Sequence, residues 1–167
     1  MGISGSGKTE VIEYLLAVYR IPMFSFKAVL EDEIRRQNVP LGYFGSRAIR
    51  KRLEGELGEE YFPKRIIELI DADDIHEDVI VEGLDLEGRI DFEVLSRRFG
   101  PCLHAIIIHT PIRNVFREFI HDARQVMSLE SGGPLVTSNH LVVNDGNVTK
   151  MMNTLDAIML GYGIAKP

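Results

Sequence analysis

Apolar residues recur along this chain with two periods, one suited to helices and one to strands. Val11, Ile12, Leu15, Leu16, Val18 and Tyr19 fall on one face at helical spacing, which predicts a helix from about Lys8 to Tyr19. The short apolar and aromatic run Pro22–Phe26 reads as a strand. Lys27 to Gln37 is charged, with Val29, Leu30 and Ile34 on one face, and reads as a second helix. Pro and Gly punctuate Val39–Gly45 as a loop. Ser46 then caps a helix running to about Leu57, which Gly58 interrupts, and a further helix is expected from about Glu59 to Ala72. Asp78–Glu82 is a strand ending at Gly83, and Ile90 to Phe99 a helix. Cys102–His109 is nearly continuous in apolar residues, as a strand covered on both faces would be. Thr110 and Pro111 supply an N-cap and a first-turn proline for a helix to about Gln125. Val126–Ser138 reads as a loop around Gly132 and Gly133. His140–Asn144 is a last strand, Asp145-Gly146 a turn, and Asn147 to Leu160 a closing helix. Strands alternating with helices predict an α/β protein with a mostly parallel sheet.

The first predicted helix is preceded by a phosphate-binding pattern. Gly2-Ile-Ser-Gly-Ser-Gly-Lys8-Thr9 fits G-x-x-x-x-G-K-[ST], the P-loop. Glycines let the chain turn so that successive N–H groups face an anion, which makes Gly2, Ser4, Gly5, Ser6 and Gly7 candidate phosphate contacts. Lys8 suits the β- and γ-phosphates, and the Thr9 hydroxyl suits Mg²⁺. The helix that follows adds its positive end. This loop ordinarily follows a buried strand, and only Met1 stands ahead of it here. Met1 is therefore expected to be an internal residue of a longer protein, or the chain a fragment.

Composition narrows the classes. The chain has 167 residues, 45% hydrophobic and 26% charged, which suits one globular domain over 1–167. Its net charge of −6 argues against gripping nucleic acid or an anionic membrane as the main task. The single cysteine, Cys102, allows no internal disulfide, and a reducing cytoplasm is the simplest setting. No apolar run reaches the roughly 18 residues of a spanning helix.

Other polar positions carry candidate chemistry. Glu82 closes a predicted strand, where a carboxylate can hold Mg²⁺ through water or orient an attacking hydroxyl; the same position also fits an ordinary strand-end carboxylate. Arg113, Arg117 and Arg124 are spaced by 4 and 7, which stacks them on one helical face. An anion between them would neutralise their repulsion and steady a transferring phosphoryl group, although a solvated helix face fits too. Arg47, Arg50, Lys51 and Arg52 form a second basic cluster suited to an acceptor's phosphate, with Arg50–Glu54 and Arg52–Glu56 pairing as the plainer explanation. His104 and His109 fall in a strand and are expected to be core or strand-end residues. No metal site is read from the histidines.

With these elements placed, the chain resembles P-loop kinases of the nucleoside-monophosphate-kinase group, in particular small adenylate-kinase-like and dephospho-CoA-kinase-like proteins. The P-loop, Ser25–Glu31, Val79–Gly83 with Asp91 and Phe99 beyond it, and Val142–Gly146 carry the resemblance. It implies a three-layer fold with sheet order 2-3-1-4-5, strand 1 being the one missing ahead of the loop. It implies an acceptor-side helical segment over about 27–72, a short lid over about 124–138, and hinges at Gly42–Gly45 and Gly132–Gly133. The activity implied is ATP- and Mg²⁺-dependent phosphoryl transfer to a small phosphorylated acceptor, a nucleotide or CoA-like precursor. Lys8, Glu82 and Arg117, with Arg113 or Arg124, are then catalytic; Thr9 and Glu82 serve the metal; Asn144 and Asp145 lie near the adenine. Lys27, Ala28, Glu31 and Asp85 depart from the family's acceptor-side pattern, which leaves open a nucleotide-binding switch or interaction module without efficient kinase activity.

Overall fold

The computed structural model describes residues 6–38, 46–73, 78–84, 89–109 and 138–167. It is α/β, with short parallel strand pairs among helices. The chain divides into two compact units, residues 1–22 with 100–167 and residues 23–99.

In the first unit, α1 (Lys8–Tyr19) buries Val11, Leu15 and Tyr19, the inward stripe of the predicted helix. It ends at Arg20, whose left-handed backbone (φ 57°) turns its N–H back to the Leu16 carbonyl. A 3₁₀ turn over Gly100–Cys102 replaces the predicted start of the next strand. In this unit β3 (His104–His109) pairs in parallel with β4 (Ser138–Val143), His104 opposite Ser138 and His109 opposite Val143. Ala105, Ile107, Ile108 and Val142 are buried, so β3 is covered on both faces as its apolar run predicts. α6 (Val148–Gly161) packs against β4 and buries Met151, Leu155, Ile158 and Met159. Gly163 (φ 79°) stops it in a left-handed turn: Gly163 N–H reaches Leu160 O and Ile164 N–H reaches Met159 O at 3.0 Å, which satisfies carbonyls of the last turn and folds the tail back. His104 opens β3 and is the strand-end residue that the sequence pattern allows. It is exposed and stacks on Tyr162 at 4.0 Å, because the alternation of β3 places it opposite Ala105.

In the second unit, β1 (Met23–Ser25) pairs in parallel with β2 (Ile80–Glu82), Ser25 opposite Glu82. Helices α2 (Phe26–Arg36), α3 (Ser46–Leu57), α4 (Tyr61–Ala72) and α5 (Arg89–Phe99) complete it. α4 is central, touching α2, α3, α5 and β1. Leu53, Phe62, Ile66 and Leu95 are fully buried at 0%, each contributing about 1.5–3 kcal/mol relative to exposure. Pro63 lies in the first turn of α4, where a missing N–H breaks no helical bond.

The described strands pair in parallel, as expected, and a single larger sheet is not among what they form. They make two separate two-stranded sheets, β1 with β2 and β3 with β4.

Candidate functional site

The phosphate-loop pattern is described from Ser6 onward; Gly2, Ser4 and Gly5 lie outside the described residues. Gly7 caps α1 in the left-handed conformation (φ 94°, ψ 17°), and its carbonyl takes the first helical bond from Val11 N–H at 3.1 Å. Gly7 has no side chain to offer the first turn, so the helix's positive end and early N–H groups meet here without a side-chain cap. Ser6 is buried, Lys8 half-buried and Thr9 exposed.

Gly7 is required twice over. Its φ is one that other residues rarely adopt, and a Cβ built there would lie 2.5 Å from Asn144 Nδ2. Asn144 follows β4 and donates from Nδ2 to the Ser6 carbonyl at 3.0 Å. Its Oδ1 accepts from Gly146 N–H at 3.1 Å. Asp145 Oδ1 accepts from Asn147 N–H at 3.1 Å, and Asn147 Oδ1 caps α6 through Lys150 N–H at 3.0 Å. Asp145 also takes Lys150 Nζ at 2.8 Å. That bond, then the Asn147 backbone, holds the Asp145 carboxyl below its ordinary range. Asn144 thus stands against the loop, and Asp145 is exposed and tied to Lys150.

The far end of α1 is held too. Asp156 Oδ1 accepts from both Tyr14 OH and Tyr19 OH at 2.7 Å, and its Oδ2 takes Lys166 Nζ at 2.7 Å. Burial first, then the Asp156 hydrogen bond, pushes the Tyr19 hydroxyl up to about 12.

In the second unit, Glu82 ends β2 half-buried, and its Oε2 accepts from Ser25 Oγ at 2.9 Å. The register that sets Ser25 opposite Glu82 makes this contact. Two members of the basic cluster, Arg50 and Arg52, take the plainer explanation. Arg52 pairs with Glu56 at 2.8 Å, and Arg50 with Glu54 at 2.7 Å. Arg50 also donates from one nitrogen, Nη2, to both carboxylate oxygens of Asp91 at 2.6 and 2.7 Å, and lies 5.2 Å from the ring centres of both Phe26 and Phe62. Burial pulls the Arg50 guanidinium down, but the Asp91 charge and hydrogen bonds, with Glu54, outweigh it and leave it raised. Arg50 is thus a structural ion pair. Lys27 and Glu31, departures from the family pattern, face each other at 3.8 Å.

Arg113, Arg117, Arg124, Asp85 and the lid up to residue 137 lie outside the described residues, as does the side chain of Arg47. Sequence reasoning missed the partners Ser25, Asp156 and Lys166, and the buried Glu33. Glu33 accepts from Tyr61 OH at 2.6 Å and Gln37 Nε2 at 2.7 Å beside a cleft of about 440 Å³ between α2 and α4. Among the described residues no cluster of three metal-ligating side chains forms, and no helix is long and apolar enough to cross a membrane. Comparison with protein families, with curated proteins and with solved structures gives no match.

Proposed function

We propose that this chain binds ATP with Mg²⁺ at the start of α1 and transfers a phosphoryl group to a small phosphorylated acceptor, a nucleoside monophosphate or dephospho-CoA-like precursor, in the cytoplasm. The observation that carries the reading is Gly7: a left-handed cap on α1, closed to any Cβ, at the place the G-K-T pattern assigns to phosphate. Lys8 and the loop amides take the phosphates, and Thr9 takes the metal. The sequence pattern gives Glu82 the metal-water or acceptor-orienting role, and gives Arg117, with Arg113 or Arg124, the transferring phosphoryl. A P-loop kinase sheet in the order 2-3-1-4-5 is part of this proposal. Its 2-3 and 4-5 neighbours are the two parallel pairs described above, which supports that order.

A second reading keeps the nucleotide and gives up efficient catalysis: a nucleotide-binding switch or interaction module. The commitment of Arg50 to Asp91 favours it, since that arginine is taken from the acceptor. A coupled ADP-release assay over nucleoside monophosphates and dephospho-CoA separates the two. Turnover with one acceptor supports the kinase; ATP binding with no turnover over the panel leaves the module. Lys8→Ala weakens ATP binding under either reading, and unchanged affinity in that variant would remove both.

A further inference from the structure

We infer that Asn144 is a positioning residue for the phosphate loop: its side-chain amide holds the Ser6 carbonyl and so fixes the left-handed turn at Gly7 from which α1 starts. For its effect on ligands the inference rests on the phosphate-binding reading above. The contact itself does not.

The amide orientation is set by its surroundings. A backbone N–H can only donate, so the atom of Asn144 that meets Gly146 N–H at 3.1 Å is the oxygen, and the nitrogen faces Ser6. The turn delivering Asn144 is built from three further bonds, Asp145 to Asn147 N–H, Asp145 to Lys150 Nζ, and Asn147 to Lys150 N–H. The approach is close, since no Cβ fits at Gly7 beneath the amide. Ser6 is only 1% exposed, so its carbonyl is held in a protected environment where a hydrogen bond is not readily replaced by water. A loop carbonyl turned toward an anion would repel phosphate oxygens. One committed to Asn144 leaves the following N–H groups to face the anion.

A residue that instead contacts the base makes a different prediction, and inorganic tripolyphosphate, which has no base, tells them apart. Affinities for ATP and for tripolyphosphate are measured by calorimetry in the wild type, Asn144→Ala and Asn144→Ser. Serine keeps an acceptor for the Gly146 N–H but is too short to reach Ser6, so it preserves the turn if alanine does not. In parallel, exchange of the Val11 amide, bonded to the Gly7 carbonyl, is followed without ligand. The expected result is a loss of about five-fold for both ligands, the equivalent of one hydrogen bond, with Val11 exchange faster by a similar factor. Weakened ATP with unchanged tripolyphosphate would make Asn144 a base contact and overturn the inference. So would unchanged Val11 exchange in the serine variant. If the wild type binds neither ligand, the phosphate-binding reading fails on its own, and Val11 exchange still decides whether Asn144 holds the turn.

Discussion

Arg50 and Asp91 offer the sharpest test of how the second unit is held together. Asp91 is 2% exposed and takes two hydrogen bonds from a guanidinium whose side chain is 15% exposed. Removing one partner of such a pair leaves a buried charge, at about 3–5 kcal/mol, whereas replacing both with apolar groups is often close to neutral. Arg50→Met keeps the contact with the Phe26 and Phe62 rings but takes from buried Asp91 the two close hydrogen bonds of the guanidinium, so a loss of about 3 kcal/mol is expected. Asp91→Leu leaves Arg50 its bond to Glu54, so about 2 kcal/mol is expected. The double variant should lose under about 1 kcal/mol, making the pair non-additive by about 4 kcal/mol. Urea denaturation gives these values, with exchange of the α3 and α5 amides assigning the transition to this unit. Single losses below about 0.5 kcal/mol, or singles that simply add in the double, would refute a structural pair. If Arg50 served an acceptor instead, Arg50→Lys would lower turnover and leave stability unchanged.

Other expectations follow from the same geometry. Gly7→Ala forces a left-handed φ on a residue with a Cβ and drives that carbon toward Asn144, so a loss of about 2 kcal/mol is expected in thermal or chemical unfolding; a wild-type midpoint would mean that the turn is not the one described. Burial raises the Glu33 carboxyl, but bonds from Tyr61 and Gln37 and the charges of Arg36 and Arg65 outweigh it and leave it lowered. Its stabilisation is therefore complete above the ordinary 4.5 and is lost as pH falls through the depressed value, so Glu33→Gln should flatten the acid limb of a stability–pH curve. Tyr19 runs the other way: with its hydroxyl up at about 12, its contribution is complete below 10 and is lost as pH rises through 12. Ultraviolet titration should show one of the five tyrosines ionising near 12, moving toward 10 in Asp156→Asn.

Much of the secondary structure was legible, for local reasons. The predicted bounds of α1 match those observed because the G-K-T turn opens it, and α3 ends at Leu57 as predicted, where Gly58 follows with a left-handed backbone (φ 98°). α4 starts at Tyr61 rather than Glu59, since Gly58 O takes Tyr61 N–H in a turn first. β4 starts two residues before its apolar run, at Ser138. Pairing with His104 extends it there, and that pairing is invisible to a local pattern. The site was less legible for the same reason. Lys8 and Thr9 announce themselves through a contiguous motif. Asn144 meets Ser6 across 138 positions, Asp156 meets Tyr14 across 142, and Asp91 meets Arg50 across 41. No spacing rule links residues so far apart; only the fold brings them together.

The hold on α1 has a thermodynamic corollary. One continuous stretch grips that helix at both ends, Asn144 at Ser6 and Asp156 at Tyr14 and Tyr19, with Lys166 of the tail on the same carboxylate. Two contacts that bias one element are linked, and linkage is reciprocal. If a ligand at the front of α1 changes the docking of the tail by some factor, the tail changes that ligand's affinity by the same factor. Under the proposed function, Lys166→Ala then tests nucleotide affinity as well as the tail, and the ratio of variant to wild-type affinities measures how strongly the two ends of the helix communicate.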